Sequence, residues 1–335
     1  MMRQVAVAPR KYIKAMGPAP VALLVLVVLV WCSLQLGAAD ISLSSLLNPA
    51  TAGVSWELLF ISRVPRTLAL ILAGAAMATA GLIMQMLVQN RFVEPSTAGT
   101  VESATLGILA VTIVAPGMPV LVKMMVAALF ALAGTGLFLL ILKRVPLRSS
   151  LLVPVIGLIL SGVIAAITTF VAYQYDLIQS IQVWSTGDFS GVIKGRYELL
   201  WLGFVITCIA YMVADKFTVI GMGSQFTTNL GINYKRLLAV GLGIVAIISA
   251  VVVVTAGNIP FLGLLIPNIV SLFFGDNLRK SLPWVAYLGA SVVLLCDIIG
   301  RTVFYPHEVP IGTVLGVIGS FFFLYLLLNK RVRFN

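Results

Sequence analysis

Long apolar runs recur along the whole chain and are separated by short polar or charged segments. A helix needs about 20 mainly apolar residues to cross a bilayer, and most of these runs approach that length. Strict alternation of apolar and polar residues is absent, so the pattern favours membrane-spanning helices over the strands of a barrel. The runs predict ten helices, at 19–38, 64–87, 98–115, 120–142, 150–172, 198–214, 237–256, 259–274, 283–300 and 309–328.

Composition supports an all-α membrane protein. The 335 residues are 60% hydrophobic and 10% charged, whereas an ordinary soluble domain has about 25% charged residues. The net charge of +11 comes from short basic clusters between apolar runs, and nucleic-acid binding would need a continuous basic face. We therefore expect the chain to be embedded in membrane lipid and not to bind nucleic acid.

The distribution of basic residues predicts the topology. With the N-terminus inside, 16 of the 22 basic residues fall in cytoplasmic segments, and both termini are then cytoplasmic in a multi-pass protein. Arg3, Arg10, Lys11 and Lys14 before an apolar run imitate a signal peptide. The run from Pro18 to Leu36 is longer than the roughly 7 to 15 residues of a cleaved core, so a retained first helix is favoured.

Three polar segments interrupt the spans. Two are predicted outside, from Asp40 to Arg66 and from Tyr173 to Glu198, the latter with turn residues and interfacial aromatics. The third, residues 215–236, is cytoplasmic and long enough for one or two short helices. It is the internal surface best able to dock a partner.

Catalytic chemistry has no signature in the sequence. A phosphate-binding loop and a nucleophile elbow are missing, and His307 has no ligand set at metal spacing. Cys32, Cys208 and Cys296 lie in apolar stretches, as small core residues do. We expect no catalytic residue, metal or cofactor in this chain, so any ATP-driven activity needs a separate ATPase.

Two arginines lie on the predicted external side, although basic residues favour the cytoplasmic side of a membrane protein. Arg63 and Arg66 flank Pro65 immediately before a span, where proline is favourable and the guanidinium groups stay at the interface. Interfacial anchoring explains such residues commonly, and a docking role is the alternative. Asp297 and Arg301 are spaced i, i+4, so an internal helix pair is one explanation of Arg301.

Ordered motifs across nearly the whole chain resemble the iron–siderophore and cobalamin permeases of binding-protein-dependent ABC importers. They comprise Arg63-x-Pro65-Arg66, Gly74-Ala75-Ala76-x-Ala78-x-x-Gly81, Gln85, Asn90, Glu94-Pro95, Trp184-x-x-Gly187, Leu230-Gly231, the run from Gly257 to Pro267, Gly275-Asp276, Leu282-Pro283, Asp297-x-x-x-Arg301, Glu308-x-Pro310-x-Gly312 and Gly319-x-Phe321.

Several positions depart from the usual pattern of that family. The family usually has histidine and arginine at Asn268 and Ser271, and proline at Arg91 and Ser320. An acidic residue and an alanine usually stand at Ser224 and Thr227. The version from Pro267 to Ser271 looks most like the subset that handles catecholate ferric siderophores.

The resemblance implies a type II ABC importer permease fold, with residues 1–335 as one transmembrane domain and 215–236 as its coupling loop. Two permease chains, identical or different, would assemble with two ATPase subunits. A soluble or periplasmic binding protein would deliver a ferric siderophore to the bacterial inner (plasma) membrane, and the partner ATPase would use the ATP.

The same resemblance assigns roles to individual residues. It implies that Arg63, Arg66 and Arg301 dock the binding protein. It implies that the cytoplasmic mouth of the pathway is lined by Asn90, Ser149 and Ser150, near the spans at 150–172 and 309–328. The residues implied to couple to the ATPase are Gly223, Ser224, Gln225, Thr227, Leu230 and Gly231, with Leu230-Gly231 as a turn between short helices.

Other functions remain open from the sequence. A permease for cobalamin or heme fits the same family. A secondary transporter would show ionisable groups at mid-membrane or broken helices, and the acid inside a central span, Glu102, lies near its helix start. A purely structural membrane subunit would need no coupling-like loop.

Overall fold

The computed structural model describes residues 19–36, 56–145, 152–275, 277–305 and 307–328, and every regular element in these ranges is helical. The α-helices, numbered in chain order, are α1 Ala19–Gln35, α2 Val64–Val88, α3 Thr100–Val114, α4 Val120–Arg144, α5 Leu152–Gln174, α6 Ile178–Ser185, α7 Leu200–Met212, α8 Ala214–Ile220, α9 Ser224–Asn229, α10 Tyr234–Ala256, α11 Leu262–Phe274, α12 Leu278–Thr302 and α13 Ile311–Leu328. A π-helical turn, Leu59–Arg63, leads into α2.

Ten of these helices correspond to the ten predicted spans. Among the described residues, α2, α4, α5, α10 and α12 are each long and apolar enough to cross a membrane. Helices α7 and α8 are long and apolar enough only when taken together, and they are bent by 67° where they meet. Helices α1, α3, α11 and α13 are shorter apolar helices. The all-α membrane fold predicted from the sequence is confirmed.

Three local features differ from what the sequence indicated. Helix α12 begins at Leu278 and not near Pro283, because Asn277 caps it by accepting a hydrogen bond from the Lys280 amide. The segment 173–198, predicted to be external and rich in turn residues, contains the short helix α6 before its turns. Leu230 and Gly231 connect α9 to the long helix α10, whereas the two short helices α8 and α9 are joined by residues 221–223.

Helix α2 is the centre of the bundle, and it packs against α12, α10, α11 and α7. Two close approaches depend on glycine. A Cβ added at Gly81 would lie 2.1 Å from the Gly263 carbonyl oxygen in α11, and one at Gly74 would lie 2.6 Å from the Gly289 carbonyl oxygen in α12. Small residues permit such backbone contact where lipid provides no hydrophobic drive for association.

The connection between α2 and α3 is held by a buried carboxylate. Glu94 is 2% exposed, and its Oε1 accepts hydrogen bonds from the Phe261 amide (3.0 Å) and the Ser96 hydroxyl (2.6 Å). Its Oε2 accepts from the Leu264 amide at 3.0 Å. The side chain therefore caps the first turn of α11, where backbone N–H groups lack intrahelical partners and the helix dipole favours negative charge.

Candidate functional site

The predicted docking arginines meet at one end of the bundle, in a group of five side chains. We call Arg63, Arg66, Arg301, Asp297 and Glu308 the arginine cluster. They come from the π-helical turn, the start of α2, the end of α12 and the segment before α13. Residues more than 200 positions apart in the sequence thus form one charged site.

Arg66 binds both acids of the cluster. Its Nη2 and Nε donate to Asp297 Oδ1 at 2.7 and 3.2 Å, and its Nη1 donates to Glu308 Oε2 at 2.8 Å. Asp297 is fully buried, and its second oxygen accepts from Arg301 Nη2. Because two guanidinium groups share it, the buried carboxylate is well compensated.

The other two arginines cap the C-terminal end of α1. Arg63 Nη1 donates to the carbonyls of Leu34 and Gln35, each at 2.7 Å. Arg301 Nη1 donates to the carbonyls of Leu36 (2.7 Å) and Ser33 (3.2 Å). The last carbonyls of a helix have no intrahelical donor, and cations near that end are favourable, so these contacts anchor α1.

The three arginines differ in how far their side chains are exposed to solvent. Arg63 and Arg301 are each 7% exposed, and the Arg66 side chain is 13% exposed and lies next to the exposed residue Glu308. The i, i+4 contact between Asp297 and Arg301 is present. Docking by all three arginines stays a prediction, and among them Arg66 has the most exposed side chain.

The predicted coupling segment lies at another polar surface. Gly223 precedes α9 with a φ of +110°, a conformation that suits glycine. Thr227 is fully buried, and its hydroxyl donates to the Gly223 carbonyl at 2.7 Å. Ser224, Gln225, Leu230 and Gly231 are exposed, as is Phe226 beside them. The buried threonine holds the helical turn while the other side chains remain available.

A cavity of about 520 Å³ opens beside this segment. It is lined by Gln85, Met86, Gln89, Asn90, Arg91, Thr218, Gly221, Met222 and Asn277. The Asn90 Oδ1 accepts from the Phe92 amide at 2.9 Å, which orders the chain after α2. Asn90 therefore lies near the coupling segment, and its pathway role stays a prediction. Ser149 and Ser150 lie outside the described residues.

The sequence did not assign a role to Glu308 or Glu94. Both belong to the motifs that carry the family resemblance, and this was the signal that could have drawn attention to them. Their partners, Arg66 and the start of α11, are 242 and 167 residues away, so no local pattern links them.

The chain is similar in sequence to known proteins over most of its length. The chain is 47% identical to the petrobactin import system permease protein YclN of Bacillus subtilis over 92% of this chain and 97% of that protein. It is 43% identical to the ferric-anguibactin transport system permease protein FatD of Vibrio anguillarum, over 89% and 94%. The vitamin B12 import permease BtuC of Yersinia pseudotuberculosis is 32% identical over 82% of each chain.

A solved structure and a family model indicate the same kind of protein as these relatives. An inward-facing structure assigned to the metal-chelate type of ABC transporter superposes with a TM-score of 0.77 at 23% identity, covering 91% of this chain and 97% of the other. That likeness shows the fold. The model of the FecCD transport family matches residues 24–329. The chain belongs to the FecCD transport family.

Proposed function

We propose that this protein is the membrane permease of a binding-protein-dependent ABC importer that carries a ferric siderophore into bacteria. The observation that carries the proposal is the 47% identity to a petrobactin import permease over nearly the full length of both chains. The vitamin B12 permease and the hydroxamate permease FhuB of Bacillus subtilis are more distant, at 32% and 31%. A siderophore like petrobactin or anguibactin is therefore favoured over cobalamin, and the catecholate subset is part of this proposal.

The coupling surface supports energy supply by a partner ATPase. Met222, Phe226 and Leu230 are 60%, 47% and 55% exposed in a segment whose other exposed residues are mainly polar. Apolar side chains exposed together on a polar surface are typical of a protein–protein contact. We assign this surface, residues 215–236, to ATPase docking in an assembly of two permease and two ATPase chains. The permease itself is then not an enzyme.

The arginine cluster supports delivery by a soluble binding protein. Arg66 presents a guanidinium beside solvent on a rigid helix start, and charge-assisted pairs with partner carboxylates set register and association rate. Arg63 and Arg301 hold α1 against the same end of the bundle. This placement agrees with an external face in the plasma membrane, with both termini cytoplasmic as the 16 to 6 distribution of basic residues predicts.

Reconstitution tests the proposal. Proteoliposomes would contain the permease with a candidate ATPase, and a soluble binding protein would be added outside with radioactive iron in ferric petrobactin, ferric anguibactin, or no siderophore. Labelled cobalamin would be the competing substrate. We expect iron uptake that needs both ATP and the binding protein, and no ATP hydrolysis by the permease alone.

Two controls make the outcome decisive. An ATPase variant that binds but does not hydrolyse ATP should abolish uptake, and collapse of ion gradients by an ionophore should not. Uptake that follows an ion gradient without an ATPase would identify a secondary transporter. Uptake of cobalamin in preference to ferric siderophores would reassign the substrate.

A further inference from the structure

Glu308 differs from the other acid of the arginine cluster in how firmly it is held. Asp297 is fully buried and shared by Arg66 and Arg301, so its departure would leave Arg301 without this carboxylate and Arg66 with Glu308 alone. The Glu308 side chain is 31% exposed, and its contact in the cluster is with Arg66 at 2.8 Å. Of the two carboxylates, Glu308 is the one that can leave Arg66 at low cost.

The backbone around Glu308 is fixed although its side chain is not buried. The next residue, Val309, donates its amide to the Gly300 carbonyl in α12 at 3.0 Å. This contact keeps the Glu308 backbone beside the end of α12. The carboxylate can therefore swing away from Arg66 into solvent and return without any change in the helices.

The surroundings of the pair suit a protein contact. Phe304 and Tyr305, in the same segment as Glu308, are 64% and 68% exposed. Aromatic side chains beside an arginine are enriched in protein interfaces. A partner carboxylate that approaches Arg66 along this surface meets Glu308 already bound to Nη1.

We propose that Glu308 is an internal competitor, which occupies Arg66 in the free permease and is displaced by a carboxylate of the soluble binding protein. This inference rests on the proposed docking function. With Glu308 in place, Arg66 is paired with two carboxylates, those of Asp297 and Glu308. When the Glu308 carboxylate leaves, the Arg66 Nη1 that it held can receive the carboxylate of the partner. The competitor weakens docking and so favours release of the binding protein after delivery.

The test measures affinity between the permease in nanodiscs and the binding protein that supports uptake in the reconstituted system. Glu308→Gln removes the competing charge and keeps the side-chain shape. We expect binding about two- to fivefold tighter, equivalent to up to about 1 kcal/mol, because exposed ion pairs typically contribute no more than that. Glu308→Asp keeps the charge but is one methylene too short to hold Arg66, so it should also bind more tightly.

A matched control separates local competition from net charge. Glu198 is another acid on the predicted external side, and Glu198→Gln changes the total charge by the same amount. It should leave affinity unchanged. In an Arg66→Ala background, Glu308→Gln should have no effect, because the residue for which the acids compete is gone.

The outcomes distinguish this inference from the docking proposal. If Arg66→Ala does not weaken binding, the docking role of Arg66 is wrong. If Arg66→Ala weakens binding but Glu308→Gln leaves it unchanged or weakens it, docking stands and the competitor is overturned. Equal gains from Glu308→Gln and Glu198→Gln, or wild-type affinity for Glu308→Asp, would attribute the effect to overall charge and would also overturn it.

Discussion

Replacement of Glu94 by alanine should destabilise the protein more than any exposed substitution of the same kind. The carboxylate accepts three hydrogen bonds, from the Phe261 and Leu264 amides and the Ser96 hydroxyl. Alanine removes every acceptor in a site that is 2% exposed. The connection between α2 and α3 would then lose its attachment to the first turn of α11.

The expected magnitude follows from those contacts. Each buried amide left without an acceptor costs about 1–3 kcal/mol, so two stranded amides cost about 2–6 kcal/mol. Relief from burying a carboxylate offsets part of that loss. We expect Glu94→Ala to lower the free energy of unfolding by about 2–4 kcal/mol. Glu94→Gln should cost about half as much, since one acceptor oxygen remains while its NH₂ group opposes an amide donor.

SDS titration in mixed micelles, followed by tryptophan fluorescence, measures the free energy of unfolding. Glu57→Ala is the matched control, because Glu57 is exposed before α2, and exposed substitutions usually change stability by less than about 0.5 kcal/mol. Equal unfolding free energies for Glu94→Ala and Glu57→Ala would refute the reasoning. So would a Glu94→Gln variant less stable than Glu94→Ala.

Three further predictions concern packing, coupling and topology. Gly81→Ala should destabilise the protein by at least about 1–3 kcal/mol, since the new Cβ would lie 2.1 Å from a backbone oxygen of α11. A Cβ added at Gly136 meets nothing within 4 Å, so Gly136→Ala should be neutral or stabilising by up to about 1 kcal/mol. Thermal unfolding of the two variants measures the difference. Leu230→Glu should lower ATPase copurification and ATP-driven uptake by about tenfold without changing permease yield; unchanged copurification and uptake would contradict the coupling role. In a cysteine-free variant, a cysteine at exposed Ser190 should react with an impermeant thiol reagent in spheroplasts and one at Ser224 should not; the reverse labelling would invert the topology.

The spans were predictable because each depends on local sequence. Helix α4, predicted at 120–142, runs from Val120 to Arg144, and both of its ends are marked by a proline or by basic residues. Bilayer thickness favours apolar runs of about 20 residues, so composition alone locates the long helices such as α4. Helix ends that depend on a single side chain were harder to predict from the sequence, as the Asn277 cap of α12 shows.

The site residues were predictable by type and not by contact. The arginines stood out because they oppose the insertion bias, yet Arg66 and Asp297 are 231 residues apart and no periodicity connects them. The capping of α1 by Arg63 and Arg301 also depends on how three helices pack. Such pairings arise only when the chain folds, so the sequence alone could not separate a docking arginine from a bracing one.

Helices α2 and α12 physically connect the two polar ends of the bundle. At one end they supply Arg66 and Asp297, and at the other Gln89, just after α2, donates to the Ile220 carbonyl while the Leu278 amide donates to the Thr218 hydroxyl of α8. Each helix has 25 residues, or about 37 Å, and the two pack through backbone contact near the middle. Because close-packed helices resist separate bending, a displacement of this pair at the arginine cluster also moves the attachment of α8. The pair is therefore the element through which the proposed docking site at one end and the proposed ATPase surface at the other would influence each other.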